Sequence, residues 1–183
     1  MDELADVRAS RSGDRVAFGS LIDRYYKNIY RFAYQYTGNH QDADDVCQET
    51  FLRAFGNIKK LRDDGCFKKW IFAIALNLLR KRVKETEFEK EPVGKTGDNA
   101  LAELSDDRNT RPFEILSMKE KAMVIQEQLQ KMPEHLRLIS ILVLMEGLTQ
   151  KDAADVLNCS EATISRHLDA ARKVLHTRLQ NLL

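Results

Sequence analysis

The sequence predicts an all-α protein: two small helical domains joined by a flexible linker, the C-terminal one built of four helices. Three observations carry that prediction. Apolar residues recur at the three- and four-residue spacing of helices through two long stretches; no stretch of useful length alternates apolar and polar residues as a half-buried strand does; and a charged segment with two of the three prolines lies between them. With 183 residues, 43% of them hydrophobic, there is material for a core in each domain.

Met1 to Gly13 is polar, with Leu4 and Val7 its only large apolar residues, and predicts no more than one or two loose helical turns. Asp14 is placed to cap a long helix in which Phe18, Ile22, Tyr25, Ile29, Phe32 and Tyr36 share a face, and Thr37-Gly38-Asn39 supplies its stop. Tyr25, Tyr26, Tyr30, Tyr34 and Tyr36 read as core aromatics with hydroxyls at the rim rather than as a platform for stacked bases.

The chain from Asp42 to Lys84 carries the most information. DADDVCQETFLRAF predicts a helix with two unlike faces: Ala43, Cys47, Thr50 and Ala54 on one, and Asp42, Asp45, Gln48, Glu49 and Leu52 on the other. A loop from Lys59 to Gly65 follows. CFKKWIFAIALNLLRKRVK then holds six basic residues and no acidic one, and predicts a helix with Phe67, Ile71, Ile74 and Leu78 toward the core. Lys69, Asn77, Arg80 and Lys84 share its polar edge, bordered by Trp70. Trp70 suits core packing as well as it suits that edge, and the cluster from Arg80 to Lys84 also fits a solvated helix end opposing the helix dipole. An acidic face beside a basic edge points to two partners of opposite charge, one of them nucleic acid.

Glu85 to Pro112 breaks the helical pattern with Pro92, Pro112, Gly94, Gly97 and many charges. As a flexible coil its 28 residues would span about 30 Å, roughly one turn of duplex DNA. Domain limits are therefore set at 1–90, with a linker over 91–112 and a second domain over 113–183. There Ile115, Met118, Ala122, Ile125 and Leu129 mark one helix, ended at Met132 by Pro133. Pro133 suits the first turn of a second helix carrying Leu136, Ile139, Leu142 and Val143, with Gly147 its stop. Thr149 caps the short helix QKDAADVL with Asp152 as its capping partner, Asn158-Cys159-Ser160 makes the turn, and Ser160 caps a last helix toward Leu179. Short helix, three-residue turn and longer helix make this a helix-turn-helix domain. Ile164, Leu168, Ala171 and Leu175 face inward, which turns Ala162, Ser165, Arg166, Asp169 and Lys173 outward, with Arg172 at the flank. Arg166 offers a guanidinium fork to a guanine edge or a phosphate.

Composition closes off other classes. Net charge is +1, distributed as +3 over residues 1–90, −3 over 91–118 and +1 over 119–183. The apolar runs IFAIAL and LISILVLM fall far short of the ~20 residues that cross a bilayer, and no charged-then-apolar leader precedes the first helix, so a cytoplasmic protein without membrane insertion is expected. Cys47, Cys66 and Cys159 are odd in number and far apart, as expected of reduced thiols. No enzyme, metal or cofactor is expected: His40, His135, His167 and His176 lack ligand-like spacing, and Asp42 to Glu49 cannot form a calcium loop with Cys47 where a glycine is needed.

DADDVCQETFLRAF, FKKWIFAIALN, the polar linker and MPEHLR…GLTQKDAADVLNCSEATISRHLDAARKVL, in that order, resemble the extracytoplasmic-function sigma factors of bacterial RNA polymerase, in the sigma-70 family. The resemblance covers nearly the whole chain. It implies a first domain (region two) that binds core polymerase and opens the −10 promoter element, and a second (region four) that reads the −35 element as duplex. By resemblance Asp42, Asp45, Gln48, Glu49 and Leu52 dock on the clamp helices of the β′ subunit, with the β subunit a further partner. Phe67, Lys69, Trp70, Asn77, Arg80 and Lys84 take up unpaired −10 bases, and Thr163, Ser165, Arg166, Arg172 and Lys173 lie on the −35-reading helix. The chain departs from the pattern with Ala162 and Ser165 where relatives often carry glycine and lysine, and with an added negative charge at Glu161, which implies weak intrinsic DNA affinity in the second domain. An anti-sigma protein is implied as a further partner. The alternatives are a free-standing helix-turn-helix regulator and a helical protein-binding adaptor; the acidic face with Leu52 separates these, because a free-standing regulator has no use for it.

Overall fold

The computed structural model describes residues 2–89 and 118–180, and among these residues it contains helices and turns but no strand. The linker over 91–112, and Ile115 of the following helix, lie outside the described residues. The N-terminal domain comprises α1 (Glu3–Arg11), α2 (Arg15–Thr37), α3 (His40–Asn57) and α4 (Phe67–Glu89), with short 3-10 turns at Ile58–Lys60 and Asp64–Cys66.

Local capping sets the long helices. Asp14 Oδ1 accepts from the backbone N–H groups of Val16 and Ala17 at 2.8 and 3.1 Å, so α2 starts where the sequence places it. Gly38 ends it at φ +73°, a left-handed conformation that a Cβ would strain. Asn39 then caps α3 through Gln41 and Asp42. The stretch before Asp14 is more ordered than its composition predicts. It forms α1, with Val7 fully buried and Arg8 and Arg11 paired to Asp64 at 2.9 and 2.6 Å. Those guanidiniums, Arg11 first, hold the Asp64 carboxyl below the usual carboxylate range.

The core of this domain lies between α2, α3 and α4, where Phe32 meets Phe72 edge-on at 5.4 Å between ring centroids. Ala43, Cys47, Thr50 and Ala54 of α3 are all fully buried, as their spacing predicts. α4 buries more than its predicted stripe, because it packs against α2 and α3 and also against the helix Gln150–Leu157 of the C-terminal domain: Phe72, Ala75, Leu76 and Leu79 join Phe67, Ile71 and Leu78. The tyrosines divide. Tyr25 and Tyr36 are core residues, whereas Tyr26, Tyr30 and Tyr34 stack in series along another face of α2, ending on His40, which lies 4.3 Å from Tyr34.

The C-terminal domain comprises α5 (Met118–Gln130), α6 (Glu134–Ile139), α7 (Gln150–Leu157) and α8 (Glu161–Gln180). Pro133 is the N-cap of α6, one residue outside its expected place in the first turn. The expected second helix widens into a π-helical segment at Ser140–Met145, whose looser turn lets Ile139, Ser140, Ile141 and Leu142 all face the core. Thr149 caps α7 through the Asp152 N–H at 3.0 Å, Asn158 turns the chain at φ +54°, and Ser160 caps α8 through the Thr163 N–H at 3.1 Å. Ile164, Leu168 and Ala171 are buried against α6 and α7, which fixes the opposite face of α8 toward water.

Candidate protein and nucleic-acid interfaces

Three surfaces gather the residues singled out by the sequence. The first is the outer face of α3, where Asp45, Gln48 and Leu52 are exposed and Asp42 and Glu49 half-buried; Leu52 keeps 68% of its surface in water. A single exposed leucine is ordinary on a protein surface; this one stands among polar side chains at the edge of a groove. Asp45, Gln48, Glu49, Leu52, Leu78 and Arg82 line a groove of about 430 Å³ between α3 and α4. The face is less acidic than the sequence implies. Arg82 of α4 reaches Asp42 and Asp45 at 3.2 and 3.1 Å, and Arg53 pairs with Glu49 at 2.6 Å. Linear periodicity cannot find Arg82, because its role depends on α3 and α4 packing side by side.

The second surface is the edge of α4. Phe67 does not belong to it as a contact residue: it is fully buried, with Tyr25 and Trp70 at 5.5 and 5.9 Å between ring centroids. The reason lies in the helix start, where the first apolar residue after Gly65-Cys66 turns in to close the core. Trp70 is half-buried on top of it, packing on Phe67 while lining an open cavity of about 340 Å³ with Leu61, Cys66, Lys69 and Ala73. Asn77 is exposed and Arg80 half-buried, 3.9 Å from Glu134. The side chain of Lys84 lies outside the described residues.

Asp155 and Val156 of the second domain complete the wall of that cavity. Lys69 donates to Asp155 at 2.7 Å and has Asp152 at 3.6 Å. The hydrogen bond to Asp155 raises the Lys69 ammonium above its usual range and lowers the Asp155 carboxyl, so both partners report the same attraction. Cys66 sits beside them, its thiol donating to Asp63 at 3.3 Å and pushed up by burial and then by that carboxylate.

The third surface is the outer face of α8. Ser165, Arg166, Arg172 and Lys173 are exposed and Thr163 half-buried. Ala162, Ser165, Arg166, Asp169, Ala170 and Lys173 outline a shallow groove of about 590 Å³. Asp169 leans toward Arg172 at 3.9 Å, which moderates its charge at this face. Among the described residues no cluster suited to a metal ion occurs and no helix is long and apolar enough to cross a membrane.

Comparison with known proteins matches two separate segments of the chain. Residues 21–88 match Sigma-70 region 2, and residues 122–175 match Sigma-70 region 4. The chain is 27% identical over 180 residues to the ECF RNA polymerase sigma factor SigW of Bacillus subtilis, covering 96% of each. It is 28% identical over 185 residues to the RNA polymerase sigma-H factor of Pseudomonas aeruginosa, covering 97% of this chain and 93% of the relative. Its fold matches CnrH, solved in complex with the cytosolic domain of CnrY, at a TM-score of 0.70 and 22% identity over 98% of this chain and 97% of that one. It also matches the sigma factor RpoE of Bartonella quintana, solved with the anti-sigma factor NepR, at 0.62 and 22% identity over 90% and 95%.

Proposed function

The chain belongs to the extracytoplasmic-function sigma factors of the sigma-70 family and directs promoter-specific initiation by RNA polymerase, and on that premise we propose how the work divides among its surfaces. The face of α3 holds the polymerase. Asp42, Asp45, Gln48 and Glu49 offer acceptors to a basic helical partner, the clamp helices of β′, and Leu52 supplies the apolar anchor. The exposure of Leu52 beside carboxylates is the observation that carries this reading.

The edge of α4 takes the separated −10 strand. A base lifted from its stack needs an apolar surface, which Trp70 offers over the buried Phe67, and its phosphates need cations, which Lys69, Arg80 and Lys84 supply with Asn77 as a hydrogen-bonding neighbour. α8 reads the −35 element as duplex. Its outward row of Thr163, Ser165, Arg166, Arg172 and Lys173 fits a major groove, with Arg166 central. Residues 1–90 and 113–183 act as the two binding domains and 91–112 as the tether between them.

The protein performs no covalent chemistry of its own; polymerisation belongs to the core enzyme. It works in the cytoplasm with polymerase and promoter DNA. An anti-sigma protein controls it, in keeping with the RpoE relative captured with one. The test is reconstitution: the purified chain should join core polymerase and support run-off transcription from a subset of promoters of its source genome. Failure to join core enzyme and to initiate at any of them would overturn the reading in favour of a free-standing regulator.

A further inference from the structure

The two domains meet through charge. Glu146 follows the π-helical segment, and its side chain has no exposed surface. A buried carboxylate is tolerated only where donors surround it, and here they come from α2 of the other domain: Arg31 Nε at 2.6 Å, Arg31 Nη2 at 2.8 Å and Asn28 Nδ2 at 2.8 Å. Lys68 of α4 donates to the Glu146 backbone oxygen at 2.8 Å and to that of Gly147 at 3.3 Å. Such a joint differs from an apolar core, because each of these groups regains water when the domains part.

The next residue along α4, Lys69, has its ammonium taken by the carboxylates of Asp155 and Asp152 on α7. An ammonium held at 2.7 Å by one carboxylate and 3.6 Å from another is not available to a second anion while those contacts last. Across the same domain, the α8 face with Ser165, Arg166 and Lys173 remains exposed. Closure therefore affects the two DNA-reading surfaces unequally.

Resting on the assignment of Lys69 to the −10 strand, we infer that Asp152 and Asp155 act as an internal substitute for nucleic-acid phosphate, with Glu146 as the buried clasp that holds them in place. The free chain is then closed toward single strands while its duplex-reading helix faces water. Opening the clasp is part of loading onto polymerase and promoter. Where a closed form outnumbers an open one by about ten to one, abolishing closure raises apparent affinity up to about tenfold.

Zero-length carbodiimide coupling of the free full-length chain, read by peptide mass analysis, tests this directly. An amide between Lys69 and Asp155 or Asp152 is expected in the free chain, and its loss in the holoenzyme. Glu146→Gln should weaken that cross-link and raise affinity for a labelled single-stranded thymidine 15-mer several-fold, leaving promoter-duplex affinity unchanged. Asp152→Asn with Asp155→Asn, which leaves the buried clasp intact and lies on the surface, should give the same gain even if Glu146→Gln folds poorly. Lys69→Ala should cancel the gain. Absence of the cross-link in the free chain, or an unaltered single-strand affinity in the double aspartate variant, overturns the inference. Neither result touches holoenzyme reconstitution, which decides the sigma-factor assignment of the surfaces on its own.

Discussion

Arg82 of α4 places its Nη2 3.1 Å from Oδ2 of Asp45 and its Nη1 3.2 Å from Oδ1 of Asp42, so the helix assigned to the −10 strand grips the helix assigned to polymerase. The docking face is thus partly neutralised from within. A basic partner must share those carboxylates with Arg82 or displace it.

Arg82→Ala is accordingly expected to raise affinity for core polymerase by about two- to fivefold at low salt, the range of an exposed ion pair, with the gain shrinking as salt rises. Titration of labelled core enzyme at two ionic strengths measures it. A loss of affinity at both would mean that the bridged pair, rather than the free carboxylate, is what the partner recognises.

Phe32 is fully buried and packs edge-on against Phe72, bringing α2 and α4 together beneath the face of α4. Phe32→Ala should destabilise the N-terminal domain by about 3–5 kcal/mol, which urea unfolding will register. Leu52→Ala, by contrast, removes a side chain already largely in water and should leave stability nearly unchanged while weakening core binding.

Elements governed by neighbouring residues were legible before the structure. Asp14 and Gly38 bound α2 through local hydrogen bonding and φ, and Thr149, Asn158 and Ser160 lay out the helix-turn-helix in the same way. The inward face of α3 followed from periodicity alone. What escaped depends on residues far apart in the chain. α1 is held by Asp64, more than fifty positions away; Phe67 turns inward because Tyr25 and Trp70 enclose it; and Glu146 is buried only because Arg31 and Asn28 meet it. A helical wheel carries no information about which wheels touch.

In the C-terminal domain His167 lies 4.9 Å, ring to ring, from His135 of α6. Burial, then His135 and then Arg166, lower its pKa below the usual 6.5. A histidine whose folded pKa is depressed contributes stability that is complete above the unfolded value and is lost as pH falls below about 6.5 through the folded one. The thermal midpoint should therefore drop between pH 7.5 and pH 5, and drop less in His167→Gln. An equal drop in both proteins would assign the pH dependence to other groups.

The division of labour between α3 and α8 is tested most directly by measuring core-polymerase binding and promoter-duplex binding side by side for Asp45→Arg and Arg166→Ala. Asp45→Arg should weaken core binding at least about tenfold and leave duplex binding intact. Arg166→Ala should weaken duplex binding by roughly 10- to 100-fold, the equivalent of about 1–3 kcal/mol for a lost guanidinium contact, with core binding unchanged. Equal losses of core binding in the two variants would contradict the assignment of separate surfaces to separate partners.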